Sequence, residues 1–137
     1  MEKVIVSVGW CDKNFGATFG EEVPGAVVFT AKTFDELQKE AAETLRFHID
    51  GMIEDGDDVP QWLVDGEYEF EYRFEDMASL IQSLVPYTSL AAISRATGIN
   101  QYQLSHYANG IKNPRPEQRQ RIINGIHHIG ERLMSIV

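Results

Sequence analysis

The sequence predicts an α+β protein built from two small domains, and two observations point to it. Residues 1–76 combine strand-like and helix-like patterns, whereas residues 77–137 show only helical periodicity. The charge divides at the same place. The first segment holds 19 Asp and Glu against 6 Lys and Arg, a net charge of −13, and the second holds 2 against 6, a net charge of +4. Such asymmetry indicates two domains with different partners.

The composition is typical of a folded chain in a reducing compartment. With 43% apolar and 24% charged residues, the chain should bury a core. Cys11 is the only cysteine, so no intrachain disulfide forms, and we interpret it as an inert thiol. No apolar run approaches the roughly 20 residues of a membrane span, and MEKVIVSVGW lacks the pattern of a signal peptide. We therefore expect a cytoplasmic protein with no membrane partner.

The first domain, residues 1–76, has the predicted order β-β-β-α-β. Turn formers separate three strand-like segments, KVIVSVGW, NFGATFG and AVVFTA. Thr33 and Glu36 form a capping box at the start of a long helix, which ends at Gly56 and Pro60. One apolar stripe recurs along this helix every three or four residues: Phe34, Leu37, Ala41, Leu45, His48 and Met52.

The clearest alternation in the chain is EYEFEYRFE, residues 67–75. A period of two places the charged side chains on one face and four aromatic side chains on the other: Tyr68, Phe70, Tyr72 and Phe74. This pattern predicts a strand of an antiparallel sheet with one face in water. We interpret the aromatic row as core rather than as a base-stacking platform, because the neighbouring glutamates would repel phosphate.

One segment combines a Pro-Gly turn before a strand, a Thr-capped acidic helix and an EDG…P exit. It is VPGAVVFTAKTFDELQKEAAETLRFHIDGMIEDGDDVP, residues 23–60. This segment resembles the HicB antitoxin domain, and the resemblance extends over about residues 3–75. It implies a degenerate ribonuclease H-like fold and a partner, the small basic ribonuclease toxin HicA. A net charge of −13 suits the covering of a basic surface, although acidity alone also keeps a small domain soluble.

A further hypothesis for the first domain, less favoured than the binding of a toxin, is an active nuclease. Such chemistry needs several carboxylates that converge on metal ions. Asp12, Glu22 and Glu36 are candidates, but the acidic residues are scattered evenly along the helix and strand patterns. We therefore expect a protein that is not an enzyme, with no catalytic residue, cofactor or metal.

The second domain, residues 77–137, should consist of helices. MASLIQSLVPY predicts the first, and Thr88 or Ser89 caps the second, SLAAISRAT, which stops at Gly98. Asn100 caps the third, QYQLSHYAN, which stops at Gly110. Four apolar residues have the spacing that packs two short helices across a turn: Ile93, Ile99, Leu104 and Tyr107.

The frame ISRATGI, LSHYANG and KNPRPEQRQRI closely resembles the phage-repressor (Cro/CI) type of helix-turn-helix over about residues 78–130. The resemblance implies that the third helix enters the major groove of double-stranded DNA. Its base-edge candidates are Asn100, Gln101, Tyr102, Gln103, Ser105 and His106. The phosphate-contact candidates are Ser89, Lys112, Asn113 and Arg115. The alternative interpretation of these polar residues is a solvated helix face.

The final helix carries an apolar row with 4-3-4-3 spacing: Ile122, Ile126, Ile129, Leu133 and Ile136. The row either docks the helix on its own domain or forms a seam between two chains that places two helix-turn-helix units on a palindromic site. Gly125 and Gly130 weaken this helix. Because a net charge of +4 is modest for DNA binding, we expect a homodimer or a higher homo-oligomer.

Together these patterns predict the antitoxin of a type II toxin-antitoxin system. The acidic domain would neutralise a HicA-like ribonuclease toxin, and the helix-turn-helix would repress the protein's own operator. The alternative is a solitary DNA-binding transcriptional regulator whose first domain binds a small ligand or has lost its toxin. Departures from the HicB pattern at Glu21-Glu22 and Ala31-Lys32 leave room for that alternative.

Overall fold

The computed structural model describes residues 1–137, which form two compact units, Met1–Glu75 and Asp76–Val137. The division lies one residue before the boundary that the sequence indicated. The first unit holds a four-stranded mixed sheet and two helices, and the second holds four helices. The predicted α+β class is therefore confirmed. None of the six helices combines the length and the apolar character needed to cross a membrane.

The first unit contains one helix that the sequence did not predict. Its elements in chain order are β1 (Glu2–Cys11), β2 (Asn14–Phe19), β3 (Val28–Ala31), α1 (Phe34–Glu54), α2 (Gln61–Val64) and β4 (Tyr68–Phe74). The additional helix is α2, a single turn that begins directly after Pro60 and buries Leu63. Four residues are too few to produce a recognisable period, which explains why the sequence pattern after Pro60 did not indicate α2.

The sheet has the strand order β3-β2-β1-β4. The pairs β1–β2 and β2–β3 are antiparallel, but β4 runs parallel to β1, with Val4 opposite Phe70 and Val8 opposite Phe74. The prediction that β4 belongs to an antiparallel sheet was therefore wrong. The chain reaches β4 only after passing through α1 and α2, and such a helical crossover is what allows two strands to run in the same direction.

A two-residue turn joins β1 to β2. Asp12 and Lys13 both have positive φ, 52° and 64°, between the paired residues Cys11 and Asn14. Positive φ at both central residues is the geometry of a type I′ turn, whose twist matches that of the flanking strands. The turn therefore fixes the register of the hairpin.

Helix α1 covers one face of the sheet, and the core of the first unit lies between them. The fully buried line on α1 is Leu37, Ala41, Leu45 and Ile49. His48 and Met52, predicted in the stripe, are only half-buried, because the helix follows the sheet with a strict spacing of four residues. On β4, Tyr72 and Phe74 contact Phe34 with ring centroids 5.1 and 5.6 Å apart. The interpretation of the aromatic row as core is confirmed, and burial raises the pKa of Tyr72.

The second unit consists of α3 (Met77–Ser83), α4 (Leu90–Thr97), α5 (Gln101–Ala108) and α6 (Pro116–Met134). The first three helices begin at side-chain caps: Asp76 accepts from the Ser79 amide, Ser89 from Ala92 and Asn100 from Tyr102. Their core is continuous and contains the four apolar residues predicted to pack across the turn: Met77, Ile81, Ile93, Ile99, Leu104, Tyr107, Ala108 and Ile122.

Helix α6 runs through both of its glycines, and the two have different surroundings. Gly125 is buried against α4, where a Cβ atom would lie 2.4 Å from Cγ2 of Thr97. At Gly130 a Cβ atom would meet nothing within 4 Å. Gly125 therefore permits the close approach of α4 and α6, whereas Gly130 lowers helix propensity without a packing function.

We expect opposite effects from alanine at these two positions. Gly125→Ala should lower the free energy of unfolding by about 1–3 kcal/mol, because a β-branched side chain would have to move. Gly130→Ala should raise it by up to about 1 kcal/mol, because it adds helix propensity in open space. Urea unfolding followed by circular dichroism measures both. Equal stabilisation by the two variants would contradict the close α4–α6 contact.

Candidate functional site

The turn between α4 and α5 is held by two hydroxyl groups. Gly98 adopts the left-handed conformation with φ of 73°. Ser94 donates its hydroxyl to the carbonyl of Ile99 at 2.5 Å. Thr97 donates its hydroxyl to the carbonyl of Ile93 at 2.7 Å and accepts from the amide of Ile99 at 3.1 Å. Because Thr97 is buried and both sides of the turn are tied to α4, the direction of α5 is fixed by short hydrogen bonds.

The structure places the six base-edge candidates around more than half of the circumference of α5. Asn100, Gln101, Tyr102 and Gln103 are exposed, and Ser105 and His106 are half-buried. The buried side of α5 consists of Leu104, Tyr107 and Ala108. With about 100° between successive residues, the side directly opposite the core is formed by Tyr102, His106 and Asn109.

Two of the three predicted amide side chains already make internal hydrogen bonds. The Asn100 side-chain oxygen accepts from the Tyr102 amide at 2.7 Å, and the Gln103 side chain donates to the Tyr107 hydroxyl at 2.8 Å. Bidentate recognition of adenine needs both the oxygen and the nitrogen of one amide. Only Gln101 offers an amide with no hydrogen bond inside the protein. Asn100 therefore acts first as a helix cap.

Asn109, the exposed C-cap residue of α5, was not among the base-edge candidates predicted from the sequence. Its side-chain nitrogen donates to the Ser105 carbonyl at 2.9 Å and lies 3.3 Å from the Ser105 hydroxyl, so the two side chains form one polar group. Beside them the Tyr102 and His106 rings lie with centroids 4.5 Å apart. The signal was available in the sequence, because Asn109 lies seven residues after Tyr102 and therefore shares its face.

A groove of about 690 Å³ lies between α5, the loop that follows it and the first turns of α6. It is lined by Gln103, Tyr107, Lys112, Asn113, Arg115, Glu117, Gln118 and Arg121. Three predicted phosphate contacts come together here, whereas the fourth, Ser89, caps α4 with its hydroxyl and does not line the groove. Three cationic side chains against one carboxylate give the groove a net charge of +2, which suits an anionic ligand.

Arg121 is the groove residue that sequence reasoning could not identify. It donates from Nε to the carbonyl of Thr97 at 2.9 Å, across 24 residues of sequence. This bond holds the guanidinium group at the end of α4 and leaves its other nitrogens available for a ligand. Nothing local in the sequence marks Arg121, because its partner is a backbone carbonyl on another helix.

The apolar row of α6 divides into a buried and an exposed part. Ile122 is 0% exposed in the core of its own unit, and Ile126 and Ile129 pack against that core. Leu133 and Ile136 are 57% and 73% exposed. Ile122 is therefore enclosed by its own unit, whereas the exposed part of the row lies in the last turn of the helix and the residues that follow it. The seam between two chains stays a prediction.

The three carboxylates considered for nuclease chemistry lie in different parts of the first unit. Glu22 accepts a hydrogen bond from the backbone amide of Ile5, Asp12 lies in the β1–β2 turn, and Glu36 lies in the first turn of α1. No group of three or more His, Cys, Asp or Glu residues in the structure could hold a metal ion. The structure therefore does not unite these three acids.

The second unit thus presents an exposed polar helix face next to a basic groove, an arrangement that can contact an extended polyanion. Comparisons of the chain with known protein families, with characterised proteins and with solved structures find no match.

Replacing the Thr97 hydroxyl should loosen the α4–α5 turn. Thr97→Val keeps the shape of the side chain but leaves the buried Ile99 amide without its acceptor, which should cost about 1–3 kcal/mol. The control Thr97→Ser keeps the hydroxyl and removes one methyl group, which should cost about 1 kcal/mol or less. Urea unfolding compares them. A greater loss in Thr97→Ser than in Thr97→Val would assign the effect to methyl packing instead.

Proposed function

We propose that this protein is a HicB-like antitoxin that also represses its own operator. In this proposal α4 and α5 form a helix-turn-helix of the Cro/CI type, which binds double-stranded DNA. The first unit adopts a degenerate ribonuclease H-like fold and neutralises a small basic HicA-like ribonuclease toxin. The observation that carries the DNA-binding part is the position of the basic groove, which adjoins the exposed face of α5 within one unit.

The geometry of α5 supports a division between base contacts and phosphate contacts. A helix fits the major groove, which is about 12 Å wide, when its outward side chains meet base edges. Tyr102, His106 and Asn109 occupy the outermost positions, Ser105 lies beside them, and Gln101 is exposed in the first turn of the helix. Lys112, Arg115 and Arg121 then lie at one flank of the helix, where they would meet the phosphate backbone at the edge of the DNA major groove.

The charge of each unit explains how an acidic protein approaches DNA. The first unit holds 18 acidic against 6 basic residues, a net charge of −12, and the second holds 3 against 6, a net charge of +3. Phosphate contact is therefore favourable only through the second unit. A homodimer would double those contacts, and we propose that the exposed Leu133, Met134 and Ile136 pair with a second chain.

Substitutions in the groove and on α5 should have different effects on DNA binding. Arg115→Gln and Arg121→Gln should weaken binding to operator and scrambled duplexes alike, and should lower the slope of log affinity against log salt by about 1 each. Tyr102→Ala and Asn109→Ala should reduce mainly the preference for the operator over the scrambled duplex. Fluorescence anisotropy with DNA from upstream of the gene, over a range of salt concentrations, measures both quantities.

Arg119→Gln provides the matched control, since it removes the same charge from an exposed position of α6 that does not line the groove, and it should leave the affinity unchanged. If Arg119→Gln and Arg121→Gln weakened binding equally, the effect of Arg121 would be that of net charge alone. If the unmodified protein bound operator and scrambled duplexes equally, the specific DNA-binding proposal would fail.

The antitoxin proposal rests on the acidic first unit and on the resemblance of residues 23–60. A toxin that binds RNA must present a positive surface, which a unit with a net charge of −12 attracts and covers. The protein, affinity-tagged and expressed from its native locus, should co-purify with a small basic protein in fixed stoichiometry. Adding the purified antitoxin should stop that partner from cleaving RNA. A protein that purifies alone at every salt concentration would favour the solitary regulator.

A further inference from the structure

A second groove, of about 610 Å³, lies on the first unit between residues 24–28 and the C-terminal half of α1. It adjoins β3, which stands at the end of the sheet order and has β2 as its single neighbour. In an antiparallel pair, alternate residues direct their backbone amide and carbonyl groups away from the partner strand. The outer edge of β3 therefore offers backbone hydrogen bonds to another strand.

Two large apolar side chains are exposed at this groove. Phe47 on α1 is 82% exposed and Val28 on β3 is 71% exposed, although both line the same cavity. Single exposed apolar residues are common on protein surfaces. Here they flank one concave site, and a concave apolar site beside polar residues is typical of a surface that binds a partner.

The β3 edge has only part of the protection that is usual for an edge strand. Natural edges are very short, carry lysine, proline or a bulge, or are covered by another segment, and of these features β3 has the short length, four residues. The strand VFTA has neither lysine nor proline, and it pairs with β2 from Val28 to Ala31 without a bulge. This edge is therefore suited to strand addition.

Contacts between the loop and α1 form the groove in advance of binding. The His48 ring nitrogen Nε2 lies 2.6 Å from the Pro24 carbonyl oxygen. Gly25 has φ of 84°, and a Cβ atom there would lie 3.2 Å from the His48 ring. A preformed groove lowers the entropic cost of ordering a partner segment.

Charge distinguishes between two possible occupants. Asp55 and Asp57 line the groove, and the whole unit has a net charge of −12. A second copy of the chain would bring the same negative unit to the contact, whereas a basic protein would be attracted to it. The charge therefore favours a basic partner over self-association.

We propose that the outer edge of β3 and the adjoining groove bind an extended segment of a small basic protein. The segment adds a strand to the sheet at β3, places an apolar side chain against Phe47 and Val28, and brings Lys or Arg to Asp55 and Asp57. This inference rests on the proposed antitoxin function, because it names the surface through which the first unit contacts its toxin.

The test uses the basic protein encoded by the reading frame adjacent to this gene, co-expressed and purified with the full chain. Phe47→Lys places a positive charge in the groove and should weaken binding at least about tenfold in calorimetry, since exposed aromatic anchors dominate interfaces. Ile53→Lys is the matched control: Ile53 is also an exposed apolar residue of α1, but it does not line the groove. Its affinity should stay within about twofold of the unmodified protein.

Hydrogen exchange of the complex tests strand addition directly, because the outward amides of residues 28–31 should become protected. Unchanged affinity of Phe47→Lys with unprotected β3 amides would overturn the docking surface and leave the antitoxin proposal standing. Weakened binding without that protection would overturn strand addition. Self-association that Phe47→Lys abolishes would assign the groove to a second copy and overturn the basic partner. If the adjacent product is absent or does not bind the unmodified protein, both proposals fail.

Discussion

The C-terminal turn of α4 is the constraint on which the second unit depends. At Thr97 the hydroxyl joins α4 to the turn, the methyl group faces Gly125 of α6, and the backbone carbonyl accepts from Arg121. Three helices are thus positioned by different atoms of one residue. The consequence for function is that the exposed face of α5 and the cationic groove cannot move independently, since both are anchored to the same turn.

The two units meet different physical requirements. In the first, a sheet covered on one face by α1 leaves its acidic side chains in water, so that the negative charge serves as surface while valines and aromatic rings form the core. In the second, three short helices begin at side-chain caps, because helices of seven or eight residues are too short to be stable without capping and tertiary packing. The acidic surface of the first unit and the basic groove of the second therefore occur in one chain, while the core of each unit remains apolar.

Most elements were predictable because their causes are local. The capping residues Thr33 and Asn100 and the alternation of residues 68–74 are short-range patterns, and each corresponds to an observed element. The parallel direction of β4 was not predictable from alternation, because it depends on the path of the chain through α1 and α2. For the site, helical period applied one residue beyond Ala108 would have identified Asn109, which was not predicted, whereas Arg121 and the role of Gly125 depend on contacts between distant helices.

The parallel pairing of β1 with β4 also determines when the first unit can be completed during synthesis. Glu2 lies opposite Tyr68, so the outer pair of the sheet joins residues 66 positions apart. The β1–β2 hairpin closes locally, but β1 has its second neighbour only after residue 74 has left the ribosome. The contacts of α4 with α5 are between near neighbours in sequence, and such contacts form quickly. The first unit is therefore synthesised before the second, yet its sheet is complete only when its last strand, β4, has been made.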